Sequence, residues 1–129
     1  MELEEYNWIT KIIIDCCFHI HKELGPGLLE SVYQKCLALE LRERELDFQE
    51  QVKLPVIYKG QNIGLEFRLD FIVEEAIIIE LKSVDTIHPI HQAQIINYLK
   101  ISNLPVGLLI NFNVPLIKNG IKRFINNTH

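Results

Sequence analysis

Two strand-like runs lie almost end to end in this sequence, and they restrict the fold more than any other feature. IGLEFRLDFIV, residues 63–73, alternates apolar and polar residues. Side chains alternate along a pleated strand, so Phe67, Leu69, Phe71 and Val73 are expected on one face, with Glu66, Arg68, Asp70 and Ile72 on the other. AIIIELKS, residues 76–83, follows after only Glu74 and Glu75. Its β-branched Ile77, Ile78 and Ile79 read as a buried strand. Strands this close pair as an antiparallel hairpin, because a parallel partner needs a crossover of a dozen or more residues.

The buried strand ends in opposite charges, Glu80 and Lys82, two residues apart and therefore on one face. Asp70 joins them only under one loop geometry. A three-residue loop of Glu74, Glu75 and Ala76 sets Asp70 opposite Glu80. A two-residue loop at Glu74-Glu75 sets Ile79 opposite Asp70 and turns Glu80 to the other face. If the two carboxylates meet beside a core strand, burial favours their protonation unless a cation compensates. Oxygen donors on a small hard site suit Mg²⁺ or Mn²⁺. Lys82 beside such an ion is placed to hold a water or to stabilise charge developing on a phosphate. A cross-strand salt bridge of Lys82 with Glu80 or Asp70 accounts for the same spacing, and spacing alone leaves both open.

Other elements surround this hairpin. Residues 6–24 show helical periodicity, with Ile9, Ile13, Cys16 or Cys17, Ile20 and Leu24 on one stripe. LGPG, residues 24–27, breaks it. A second helix is expected over residues 28–45, with Leu29, Val32, Cys36 and Leu39, and nearby Leu37 and Leu41, as its apolar side. Glu30 and Tyr33 share a face of it. Glu30 lies in the first turn, where the helix dipole stabilises a carboxylate; it reads equally as an added ligand acting through water. QEQVKLPVIYKG reads as a strand, with Pro55 marking an edge or a bulge. KGQN is a turn. A helix starts near Pro89, a residue favoured in a first turn, and runs through IHQAQIINYLKIS. His91, Gln94 and Tyr98 share one of its faces. Gln94 is placed to position a water or phosphate, Tyr98 to contact a backbone. LPVGLLINF is another apolar strand, and the tail NGIKRFINN fits a short helix or a strand. The order α-α-β-β-β-α-β, with no repeat, linker or low-complexity segment, predicts a single domain over residues 1–129.

Charge and cysteine content narrow the function. Net charge is −4, against the basic excess common in nucleic-acid binders. Lys53, Lys59, Arg68 and Lys100 are the candidate backbone contacts, and they do not cluster in sequence. Cys16, Cys17 and Cys36 form no CxxC, which speaks against zinc and for reduced thiols packed as small hydrophobes. No apolar run approaches the roughly 20 residues of a membrane span. The acidic start, MELEEYNW, is unlike a secretory signal, so a cytoplasmic protein is expected.

Asp70 followed by Glu80-Leu81-Lys82 resembles the D…(D/E)xK signature of the PD-(D/E)xK nuclease superfamily. Gln94 to Tyr98 is similar to the QxxxY motif of its RecB-like branch. Gly27 to Tyr33 reads GxxExxY, the label of a small bacterial and archaeal family in that superfamily. The resemblance spans roughly residues 8–125. It implies an α/β fold of the restriction-endonuclease-like kind, an αβββαβ core whose mixed sheet is flanked by helices. It also implies metal-dependent hydrolysis of phosphodiester bonds in nucleic acid, DNA before RNA. By the same resemblance Asp70, Glu80 and the Leu81 carbonyl hold Mg²⁺ or Mn²⁺. Glu30 matches the acidic residue of the first core helix, Lys82 the catalytic lysine, and Gln94 and Tyr98 the QxxxY pair. Leu69 stands where the superfamily name has proline. The alternative function is a catalytically silent module of the same fold, used for binding or assembly, with Trp8 on the first helix in a homodimer face. The joint presence of Asp70, Glu80 and Lys82 speaks against it.

Overall fold

The computed structural model describes residues 3–127, so both ends of the expected 1–129 domain lie outside the described residues. Helix α1 runs Leu3–Leu24 and helix α2 runs Glu30–Glu43. Strands β1 (Phe48–Tyr58), β2 (Gln61–Val73) and β3 (Ile77–Lys82) follow, then helix α3 (Pro89–Ser102) and strand β4 (Val106–Asn111). The undecided tail forms a 3₁₀ turn, Ile117–Gly120, and a strand β5, Ile121–Ile125.

The five strands form one sheet in the order β1-β2-β3-β4-β5. Among the described residues only β3 and β4 are parallel, and α3 is the crossover that a parallel pair requires. The other neighbours are antiparallel. The result is a mixed α/β sheet with helices on both faces, around the expected αβββαβ core. On one face, Ile77, Ile79 and Leu81 of β3 and Val106, Leu108 and Ile110 of β4 pack with the buried sides of α1 and α2. On the other, Ile78 and Leu109 pack under Ile95 and Leu99 of α3. β3 is the middle strand, so its residues are covered on both sides, which is why the run reads apolar without alternation.

The α1 stripe is buried through Ile9, Ile13, Cys16, Cys17 and Ile20, and Tyr6 joins it, whereas Leu24, expected on the stripe, is exposed at the end of the helix. Burial pushes both the Cys16 and Cys17 thiols up, which keeps them protonated as small apolar groups. The α2 face differs from expectation. Its buried residues are Tyr33, Leu37, Ala38 and Leu41, while Leu29, Val32 and Leu39 are exposed. This helix carries leucines on several sides, so periodicity did not select one. Tyr33 decides the rotation: its ring stacks on Phe112 at 4.3 Å, and its hydroxyl donates to the Gly25 carbonyl at 2.6 Å and accepts from Leu28 N–H at 3.2 Å. Pro55 sits both on an edge strand and beside a register shift in the β1–β2 ladder.

Candidate active site

Val73 pairs with Ile77, Ile72 with Ile78 and Phe71 with Ile79. The loop is therefore the three residues Glu74, Glu75 and Ala76, and the register carries Asp70 to Glu80. Glu74 and Glu75 both take positive φ, 52° and 54°, and Ala76 N–H bonds the Val73 carbonyl at 3.0 Å.

The β2–β3 ladder stops at Phe71 and Ile79, and beyond that point the simple alternation along β2 fails. The β1–β2 ladder pairs Glu50 with Phe71 and Val52 with Leu69, skipping Gln51 and Asp70 between them. Gln51 has a φ of 50°. A left-handed residue breaks the two-residue period of a strand. Before the kink, Phe48, Phe71 and Val73 pack toward α1 and α2. After it, Val52, Leu54 and Leu69 pack toward α3, and Phe67 meets the Tyr98 ring at 5.6 Å. Phe67 and Leu69 therefore do not share a face with Phe71 and Val73.

The kink leaves a fork between β2 and β3, and the two carboxylates close it reciprocally. Glu80 Oε2 accepts from Asp70 N–H at 2.9 Å. Asp70 Oδ2 accepts from Leu81 N–H at 2.8 Å. The side chains replace ladder bonds that the splayed backbones no longer make. Burial first, and the Asp70 charge second, push the Glu80 carboxyl up to about 9. The Asp70 N–H that Glu80 accepts, and after it the Lys82 charge, oppose the rise. The ion pairs among the described residues are Asp15 with Arg44 and Asp15 with His19. Lys82 thus forms no cross-strand salt bridge.

The remaining candidates surround this fork unequally. Glu30, the first residue of α2, is raised by desolvation and then by Asp70, with Lys82 opposing. Tyr98 is raised by desolvation, then by Glu80 and Asp70. His91 is lowered by desolvation, then by Lys82 and His88, and its Nδ1 accepts from His88 N–H at 3.1 Å. The Gln94 side chain is exposed on α3 and enters no side-chain hydrogen bond among the described residues. The Leu81 side chain is fully buried.

Three contributors escaped the sequence reading. Gln34 Nε2 reaches the Asp70 carbonyl at 3.4 Å and Glu50 Oε1 at 3.2 Å; its spacing of one helical turn from Glu30 was the available signal. Ser83 Oγ donates to the Leu28 carbonyl at 2.6 Å, tying the exit of β3 to the loop before Glu30. Asn111, a buried polar residue ending an apolar strand, accepts from Val84 N–H at 3.1 Å and donates to its carbonyl at 2.9 Å.

A sequence model of the PD-(D/E)XK nuclease superfamily matches residues 7–124. The chain belongs to that superfamily. No curated protein and no solved structure matches it. For a member of this superfamily a divalent cation is implied, and the residues present bear on whether one fits. Among the described residues no three His, Cys, Asp or Glu side chains converge as a cage. Two hard carboxylates at an open fork are nevertheless the donor set that Mg²⁺ takes, since it keeps several waters and substrate oxygens. The upward push on Glu80 is the cost that a cation there removes.

Proposed function

We propose that the chain is a metal-dependent nuclease acting as a single domain on phosphodiester bonds, with DNA the preferred substrate over RNA. The observation that carries this is the Asp70–Glu80 fork, a half-buried carboxylate pair held by reciprocal backbone bonds, with Lys82 two residues on and in no ion pair among the described residues. Asp70, Glu80 and the Leu81 carbonyl would hold Mg²⁺ or Mn²⁺, with Glu30 contributing through a water. When bound, the ion lowers the pKa of water and stabilises phosphate charge. Lys82, ahead of the fork, holds the attacking water and donates to the phosphate oxygen on which charge grows. In hydrolysis the water oxygen bonds to phosphorus, the bond from phosphorus to the leaving oxygen breaks, and a proton passes to that oxygen. Gln94 and Tyr98 orient the substrate phosphate and backbone.

We assign the chain within the superfamily to the GxxExxY group with a RecB-like QxxxY pair, and each residue of the first motif has a physical use. Gly27 takes a φ of 94°, a backbone state that glycine adopts without strain. Glu30 feels the Asp70 charge, which after desolvation raises its carboxyl, and Tyr33 ties Gly25 and Leu28 together in the loop before it.

The test incubates labelled single- and double-stranded DNA and RNA with Mg²⁺ or Mn²⁺, beside Asp70→Ala and Lys82→Ala. Cleavage by the wild type and loss in both variants is expected. Cleavage that survives both substitutions sinks the mechanism. No cleavage of any substrate, with no metal bound by calorimetry, supports the silent binding module instead.

A further inference from the structure

Basic residues that look scattered in the sequence are gathered by the β1–β2 hairpin. β2 pairs with β3 only from Phe71 to Val73, whereas β1 and β2 stay paired out to Tyr58 and Gln61. The hairpin therefore runs on past the carboxylate fork as a two-stranded arm. Within it Lys53 lies directly opposite Arg68. Both are exposed, and neither enters an ion pair among the described residues. Like charges directly opposite across an antiparallel ladder repel and destabilise it. At the tip, Lys59 rests over the exposed Tyr58 ring at 5.6 Å from its centroid. Between residues 52 and 69 these cations face a single acidic residue, Glu66, in a chain whose net charge is −4. The arm is thus a local reversal of the chain's charge beside the candidate site.

We propose that the arm grips the substrate backbone: Lys53 and Arg68 together take a phosphate of a nucleic-acid strand whose neighbouring phosphodiester enters the Asp70–Glu80 fork. This presupposes the nuclease function proposed above and adds where the strand lies. Arg68 is two residues from Asp70 along β2, roughly 7 Å at the rise of a strand. A phosphate between the two cations converts their repulsion into two charge-assisted contacts, with the planar Arg68 fork supplying direction and Lys53 a point charge. Lys100 sits on α3 and takes no part.

The test is a Lys53→Gln, Arg68→Gln double variant of the full chain. Fluorescein-labelled single-stranded and duplex oligonucleotides are bound in EDTA, which prevents metal-dependent cleavage, across a KCl series followed by anisotropy. The variant is expected to bind more weakly, with a plot of log affinity against log salt shallower by about one to two units. It is also expected to melt no lower than the wild type, an outcome that a structural role for the pair does not produce. The oligonucleotide that shows the change identifies a single strand or a duplex as the source of the phosphate. If the wild type cleaves, KM rises while kcat holds. A folded variant with unchanged affinity and slope overturns the grip and leaves the nuclease function standing. Wild-type binding without cleavage on any substrate overturns the nuclease function, while a shallower slope in the variant still supports the grip. A wild type that binds neither oligonucleotide overturns the grip outright.

Discussion

Replacing Glu80 by glutamine should stabilise the metal-free protein, although it removes a proposed metal ligand. The Glu80 carboxyl ionises near 4.5 in the unfolded chain and is raised to about 9 by burial and Asp70. A raised carboxyl contributes stability that is fully present below pH 4.5 and is lost as pH rises toward 9. Each unit of difference is worth about 1.4 kcal/mol, so the loss is roughly 3 kcal/mol by pH 7. The substituted amide carries no charge to desolvate, and its oxygen still accepts from Asp70 N–H. The measurement is urea unfolding in EDTA at pH 5, 7 and 9, followed by circular dichroism. With a slope of about 2 kcal/mol per molar urea, Glu80→Gln should raise the midpoint by roughly 1.5 M at pH 7. The gain should shrink at pH 5 and grow at pH 9. Added Mg²⁺ should raise the wild-type midpoint and leave the variant unmoved. A variant no more stable than wild type at pH 7, with the same pH dependence, refutes the picture of a carboxyl that holds its proton until a cation replaces it.

Lys82→Ala should lower cleavage by about a hundredfold to a thousandfold, the effect of losing one preorganised donor, while the melting temperature stays put because Lys82 enters no ion pair among the described residues; a fall in stability that matches the fall in rate would contradict this. Glu75→Gly should stabilise the fold by roughly 0.5–1 kcal/mol, since Glu75 holds a left-handed φ of 54° at an exposed turn. A lower urea midpoint would mean that the turn is not strained. Tyr33→Phe removes the bonds to Gly25 and Leu28 and should cost about 1–3 kcal/mol, with a flat pH profile; an unchanged midpoint would show that stacking on Phe112 alone holds the loop.

Much of the site is legible in the sequence. Asp70, Glu80 and Lys82 stand out because charges flank a run of β-branched residues. The short gap between the runs reduces the possible pairings to a choice of loop parity. That choice is not local. The same Glu74-Glu75 dipeptide accommodates either register, and the three-residue loop prevails with Glu74 held on Asp47, its N–H on the carbonyl at 2.8 Å and its Oε2 on the N–H at 2.6 Å.

The sequence by itself determined the hairpin, the crossover helix, and the identity of the carboxylates and the lysine, because periodicity and chain connectivity act over a few residues. Tertiary structure decided what depends on competition between distant surfaces. It chose the Tyr33 side of α2 over an equally leucine-rich side, through a stack on Phe112 far along the chain. It placed β5 against the free edge of β4, where a short tail alone has no partner to pair with. It also bent β1 and β2 at Gln51 and Asp70, exchanging the faces of both strands and opening the fork that Asp70 and Glu80 fill. No alternation pattern encodes that bend, since it follows from packing the two ends of one hairpin against helices on opposite faces of the sheet.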